Sequence, residues 1–262
     1  MRSITHDSIT LQYEVLGDGP ALILGHSFLC SSAMWRRQFT QLAQHFKVIN
    51  VDARGHGRSG PVDVAFTLDD MVGDMLAVLD AEEVDAAIWG GLSMGGMVAM
   101  RAALAHPQRV ERLILLDTDA GLEPRGSKMQ HRALAAVVRT FGVRPVARRI
   151  CKLMFGRTTL DEQEDLVEEW RRRFLEAHVP SMLRTLTAID DRDDISHRLK
   201  EIAVPTLVIA GSEDAALPAA RSRLISEAIP GAEYFELPTA GHLSALEKPA
   251  EVTRAMLDFL RP

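Results

Sequence analysis

Six short apolar runs alternate along this chain with segments of helical period, and that alternation leaves few folds open. The runs are Ala21–Leu24, Lys47–Val51, Ala86–Trp89, Arg112–Asp117, Thr206–Ala210 and Glu233–Leu237. Each is bounded by turn residues and has the length of a strand buried on both faces of a parallel sheet. Between them, Met34–Gln44, Leu68–Glu82, Met94–Ala105, Ala219–Ile229 and Pro249–Leu260 carry the spacing of amphipathic helices. Such a rhythm predicts an α/β fold: a doubly wound, mostly parallel sheet covered by helices on both faces. Thr67, with Asp70 three residues on, predicts a helix cap, and Pro249 suits a first helical turn.

The rhythm breaks once. From Ala120 to Lys200 no run reads as a strand, and "SKMQHRALAAVVRTFG" and "DEQEDLVEEWRRRFLEA" read as helices. We therefore expect a core domain from residues 1–119 and 201–262, with a helical cap over 120–200 inserted between two strands. The insertion holds 16 Lys and Arg against 12 Asp and Glu, whereas the rest holds 14 against 24. "EEWRRR" accounts for part of that as a solvated helix face with paired charges, but the surplus could also favour an anionic substrate.

At 262 residues the chain suits one large domain with such an insertion. Its net charge of −6 argues against nucleic acid as the main partner, since phosphate binding calls for a basic field. Cys30 and Cys151 are too few and too far apart for a redox or zinc pattern, and free thiols suit a reducing cytoplasm. The N-terminal "MRSITHDSITLQYEVLGDGP" alternates like a hairpin and lacks the apolar core of a signal peptide. No apolar stretch approaches the ~20 residues needed to span a bilayer. The expectation is a cytoplasmic protein with a small-molecule partner, no membrane and no nucleic acid.

Chemistry enters with "AAIWGGLSMGGMVAMRAAL", Ala86–Leu104, where a strand-like run meets a helix. Gly91-Leu92-Ser93-Met94-Gly95 fits G-x-S-x-G, the nucleophile elbow. A turn this tight strains the serine backbone, exposes its hydroxyl and leaves no room for side chains two residues to either side. Gly96 would let the helix approach the sheet. A rival reading is a phosphate-binding turn, because Gly91-x-Ser93-x-x-Gly96 lies one substitution from the dinucleotide fingerprint and Asp117 ends the next strand. Against it, a serine stands where backbone must approach a pyrophosphate.

A neutral serine hydroxyl needs a base, and histidine is the usual one. Of nine histidines, His242 in "PTAGHLSALEKP" follows the last strand-like run, at the carboxyl edge where such sheets bind ligands. His26 and His56 also lie in loops, while His6, His45, His106, His131, His178 and His197 fall on termini or helices. Asp214, just after Thr206–Ala210, is the carboxylate expected to orient His242. Glu213 should point elsewhere, and Asp117 is the main competitor. The order Ser93, Asp214, His242 is the one this kind of sheet uses. For a developing oxyanion, the backbone N–H groups of Met94 and of Phe28, in "LILGHSFLCSSAMW", are the candidate donors.

Together these residues resemble the α/β-hydrolase family over nearly the whole chain. "NVDARGHGRSGP" is similar to the family's turn after its second parallel strand, which implies structural roles for Asp52, Arg54 and His56. "GLSMGGMVAMRAAL" and "AGHLSALEKP" are similar to 3-oxoadipate enol-lactonases and related small-ester hydrolases. Where many members carry His-Gly before the oxyanion loop, this chain has Gly25-His26-Ser27-Phe28, and Ser27 fits the enol-lactonases better. Dehalogenases and epoxide hydrolases of this fold have aspartate at the elbow, so Ser93 implies acyl transfer. The resulting expectation is a serine hydrolase that cleaves a carboxylic ester or lactone, with no cofactor and no metal. Its alternatives are an enol-lactonase-type lactone hydrolase and a non-catalytic ligand receptor on the same fold, and a perhydrolase side activity is compatible with the first.

Overall fold

In the computed structural model, which describes residues 1–261, the chain builds one eight-stranded sheet. The strands are β1 (Arg2–His6), β2 (Ile9–Leu16), β3 (Ala21–Gly25), β4 (Lys47–Asp52), β5 (Ala87–Leu92), β6 (Val110–Leu116), β7 (Thr206–Gly211) and β8 (Glu233–Leu237). Their spatial order is β1-β2-β4-β3-β5-β6-β7-β8. The N-terminal hairpin joins antiparallel through β2, and every pairing from β4 onward is parallel.

The core helices are α1 (Arg36–Leu42), α2 (Leu68–Ala81) and α3 (Met94–Ala105). Between β6 and β7 lie α4 (Arg125–Phe141), α5 (Ala147–Met154), α6 (Arg157–Glu162), α7 (Glu164–Leu175) and α8 (Val179–Asp190), with no strand among them. The chain closes with α9 (Ala219–Ala228), the short α10 (Ser244–Glu247) and α11 (Pro249–Leu260).

Alternation along the buried strands divides the core in two. Ile23, Leu113 and Leu115 face one apolar layer with α2, α3 and Ile225 of α9. Leu22, Leu24, Ile114 and Leu116 face the other, where Leu42 of α1 and Val252, Met256 and Leu260 of α11 pack. A period of two thus places a strand's neighbours on opposite faces, and both need a helical cover. The second layer extends into the inserted helices through Ile150, Trp170 and Phe174.

Helix boundaries follow local chemistry. Thr67 and Asp70 form a full capping box: the Asp70 N–H donates to the Thr67 hydroxyl at 3.2 Å, and the Thr67 N–H donates to the Asp70 carboxylate at 2.6 Å. Pro249 occupies the first turn of α11.

Three expectations change. The run Ala86–Trp89 continues as β5 through two glycines to Leu92, because this central strand pairs with β3 and β6 along that length. The helix expected from Met34 begins as a 3₁₀ turn over Ser32–Trp35 and becomes α-helical at Arg36. Strand β8 is largely exposed, as an edge strand covered on one side only. Cys30 and Cys151 are both buried and free. Among the described residues no helix is long and apolar enough to cross a membrane.

Candidate active site

Ser93 sits between the end of β5 and the first residue of α3 with φ 55° and ψ −112°, a conformation costly for a residue with a side chain. The surroundings hold it there. Its N–H donates to the Leu116 carbonyl at 2.8 Å, and its carbonyl accepts from the Thr118 hydroxyl at 2.7 Å and the Met97 N–H at 3.0 Å.

The flanking glycines serve different neighbours. A Cβ on Gly91 would overlap the Gly95 backbone, as the tight turn requires. A Cβ on Gly95 would instead run into the Gly25 carbonyl at the end of β3, so that glycine is demanded by helix–strand contact rather than by the turn. On Gly96 it would lie 2.8 Å from the Thr118 side chain. Gly95→Ala should therefore destabilise the fold by at least ~2 kcal/mol in urea unfolding, since backbone cannot yield as a side chain can.

His242 follows β8 and is buried, and its Nδ1 lies 2.8 Å from Asp214 Oδ2. The other Asp214 oxygen accepts the N–H groups of Ala216 and Leu217, both at 2.8 Å, so the carboxylate cannot rotate freely. Burial is the largest single influence and opposes charge on the imidazole, but the charge and the hydrogen bond of Asp214, with smaller help from the carboxylates nearby, together exceed it and raise the His242 pKa above its ordinary value.

Asp117, the competing acid, is engaged elsewhere. It accepts from Gly211 N–H at 2.7 Å and from the Ser244 hydroxyl at 2.5 Å. Burial, then the charge of Asp214, drives its pKa well above the carboxylate range. Glu213 also points away, gripping Thr158 N–H at 2.7 Å and the Thr158 hydroxyl at 2.8 Å.

Ser93 and His242 border one cavity of about 260 Å³, together with Phe28 and residues of the inserted helices such as Leu134, Ile150 and Met182. No hydrogen bond joins the Ser93 hydroxyl to the imidazole among the described residues. Ser27–Cys30 form a turn, with Cys30 N–H donating to the Ser27 carbonyl at 3.0 Å and Leu29 at φ 64°. That turn leaves Phe28 N–H free, and the helix start leaves Met94 N–H free: neither donates a hydrogen bond among the described residues.

Known proteins share this arrangement of strands and helices. Residues 20–249 match the α/β hydrolase fold family. The chain belongs to the α/β hydrolase family. It is 27% identical to 3-oxoadipate enol-lactonase 2 of Acinetobacter baylyi, over 97% of this chain and 94% of that protein. A crystal structure of a hydrolase from Pseudomonas aeruginosa PA01 superposes with TM-score 0.92 at 35% identity, covering 100% of this chain and 98% of the other. The enol-lactonase from Burkholderia xenovorans LB400 gives TM-score 0.92 at 29% identity over 99% of both chains.

Within this α/β hydrolase, His26 and Thr118 belong to the site's support although their sequence context does not single them out. His26 Nε2 accepts Ala53 N–H at 3.0 Å, so its Nδ1 carries the proton and donates to the Ser27 carbonyl at 2.8 Å. That carbonyl shares a peptide plane with Phe28 N–H, so fixing one aims the other. Burial lowers the His26 pKa and keeps the ring neutral. His56 is likewise neutral, pushed down by burial to about 3, and bonds the Arg54 carbonyl at 3.0 Å. Arg54 pairs with Asp74 at 2.6 and 2.7 Å, while Asp52 accepts from Ser32 and Arg58 N–H at 2.6 and 2.9 Å. These three residues bind loops together.

Proposed function

We propose that this protein is a serine hydrolase that cleaves a carboxylic ester or lactone through an acyl-enzyme. Ser93 attacks the carbonyl, His242 takes its proton and returns it to the leaving oxygen, and Asp214 fixes the tautomer and supports the imidazolium. Phe28 and Met94 N–H groups hold the oxyanion, and water on the same face releases the acid. The inserted helices over 120–200 act as the cap that closes the acyl pocket. One observation carries this reading: a buried His242–Asp214 pair borders the same cavity as a strained serine with two free backbone donors near it. The test is labelling by a fluorophosphonate together with turnover of a short-chain aryl ester. Labelling without turnover of any ester, lactone or amide in a panel would make the protein a receptor instead.

A second reading, hydrolysis of an anionic lactone, is favoured by the charges that line the cavity. Glu123 is paired with Arg192 at 2.9 Å, and His131 with Asp190 at 2.7 Å. Arg149, which lines the same cavity, has no ion-pair partner among the described residues. The enol-lactonase relatives point the same way. Arg149→Gln should then raise KM for a dicarboxylate lactone about tenfold, the effect of one charge-assisted hydrogen bond, and leave a neutral aryl ester nearly unchanged. Steady-state kinetics on both substrates checks this. A wild-type preference for the neutral ester would remove the lactonase reading.

A further inference from the structure

The loop that carries His242 is held from below by a buried carboxylate that the chemistry above does not use. Glu247, at the end of α10, is 3% exposed. Its Oε2 accepts Gly241 N–H at 3.0 Å and its Oε1 accepts Leu243 N–H at 3.1 Å, so it grips the residues on both sides of the histidine. The same Oε2 accepts Gly156 N–H at 3.0 Å, from the junction of α5 and α6 in the inserted helices. Leu243 N–H also reaches the Met154 carbonyl at 3.0 Å, in the last turn of α5. Contact there is close enough that a Cβ on Gly241 would overlap the backbone of Phe155 and Gly156.

A parallel grip exists one residue from Asp214, where Glu213 holds Thr158 in α6. Both loops that bring the imidazole and its carboxylate to the site therefore rest on the same short piece of the insertion, Met154–Thr158.

We infer that Glu247 is a positioning residue that seats the His242 loop on the inserted helices and holds a negative charge behind the imidazole. This inference rests on the proposed roles of Ser93 and His242. Three backbone donors and no backbone acceptor converge on Glu247, an arrangement that favours the ionised form, while burial works against it and raises the Glu247 pKa above its ordinary value. The charged groups around His242 are Asp214 at 2.8 Å, Asp117 reached through Ser244 of α10, and Glu247 itself. Burial raises the pKa of both Asp117 and Glu247, Asp117 well above its ordinary value; Glu247, with three N–H donors on its oxygens, is the one held to carry charge beside Asp214 in support of an imidazolium. A negative charge behind the ring makes it a stronger base, and its removal makes it a weaker one. The sign follows: without the Glu247 charge, His242 stays neutral to lower pH.

The experiment is the pH dependence of the rate at which a fluorophosphonate labels Ser93, which needs no knowledge of the natural substrate. It is run on the unaltered protein, Glu247→Gln and Glu247→Asp. E247Q should move the acid limb to lower pH by about half a unit or more and slow labelling at the plateau by about tenfold or more. E247D keeps the charge, so its acid limb should stay in place. Its shorter reach cannot serve Gly156 and Gly241 together, so its plateau should fall. A wild-type limb and plateau in E247Q would overturn the inference. So would a wild-type plateau in E247D, which still decides the matter if E247Q does not fold. An unaltered protein that is not labelled at all would instead overturn the proposed function.

Discussion

Replacing Ser93 with alanine is expected to lower kcat for ester hydrolysis by about 10⁴- to 10⁶-fold and to abolish fluorophosphonate labelling. Of the serines that line the cavity, Ser27, Ser93 and Ser127, Ser93 is the one at the strained strand-to-helix turn. The hydroxyl stands at the mouth of a helix whose first N–H is free, in a cavity that also holds a neutral-to-cationic imidazole. The loss should reflect chemistry and not folding. The Ser93 hydroxyl makes no hydrogen bond among the described residues, whereas its backbone, tied to Leu116, Thr118 and Met97, is the same in alanine. An unchanged urea midpoint and a circular dichroism spectrum like that of the parent would accompany the loss. Turnover above a tenth of the parent's would exclude Ser93 as nucleophile.

Asp214→Asn should cost about 10⁴-fold in kcat, and the reason lies in which atoms face which neighbours. One oxygen of Asp214 accepts two backbone N–H groups, from Ala216 and Leu217. An asparagine must keep its carbonyl oxygen there, which turns its NH₂ toward His242 Nδ1. Facing a donor, Nδ1 becomes the acceptor and the ring proton moves to Nε2, where a base for Ser93 is needed. The acid limb of kcat/KM should also fall to lower pH, since the charge that raises the His242 pKa is gone. Asp117→Asn is the matched control. Burial already drives Asp117 toward its neutral form, and asparagine has the same shape, so activity should stay within about tenfold of the parent. Steady-state kinetics across pH 5–9 on the three proteins gives the answer. Equal losses in both variants would mean that the two acids share the role.

The alternation of apolar runs and helical segments gives the sheet, because a strand buried on both faces needs a continuous apolar run and a helix needs a 3.6-residue stripe. Ser93, Asp214 and His242 stand out for a related reason: each lies a few residues past the carboxyl end of a strand-like run, and parallel strands deliver those ends to one edge of the sheet. Glycine spacing marks the elbow but not which neighbour each glycine admits. That Gly95 makes room for Gly25 of β3, not for Gly91, depends on strand order, which no local pattern carries.

Which of Asp214 and Asp117 is hydrogen-bonded to His242 is visible only in the tertiary structure. Both end strands and lie close to the histidine, but two turn amides fix Asp214 toward it while Ser244 and Gly211 claim Asp117. The parts of Thr118, His26 and Glu247 are likewise invisible in one dimension, since each includes a bond to backbone brought near from another segment: Ser93, Ala53 and Gly156 respectively. Backbone N–H and C=O groups are the same at every residue, so their pairing leaves no trace in side-chain identity. The sequence by itself therefore determines the layers of this fold and names the candidate groups of the proposed chemistry. Tertiary contact determines which carboxylate pairs with His242 and which loops hold that pair in place.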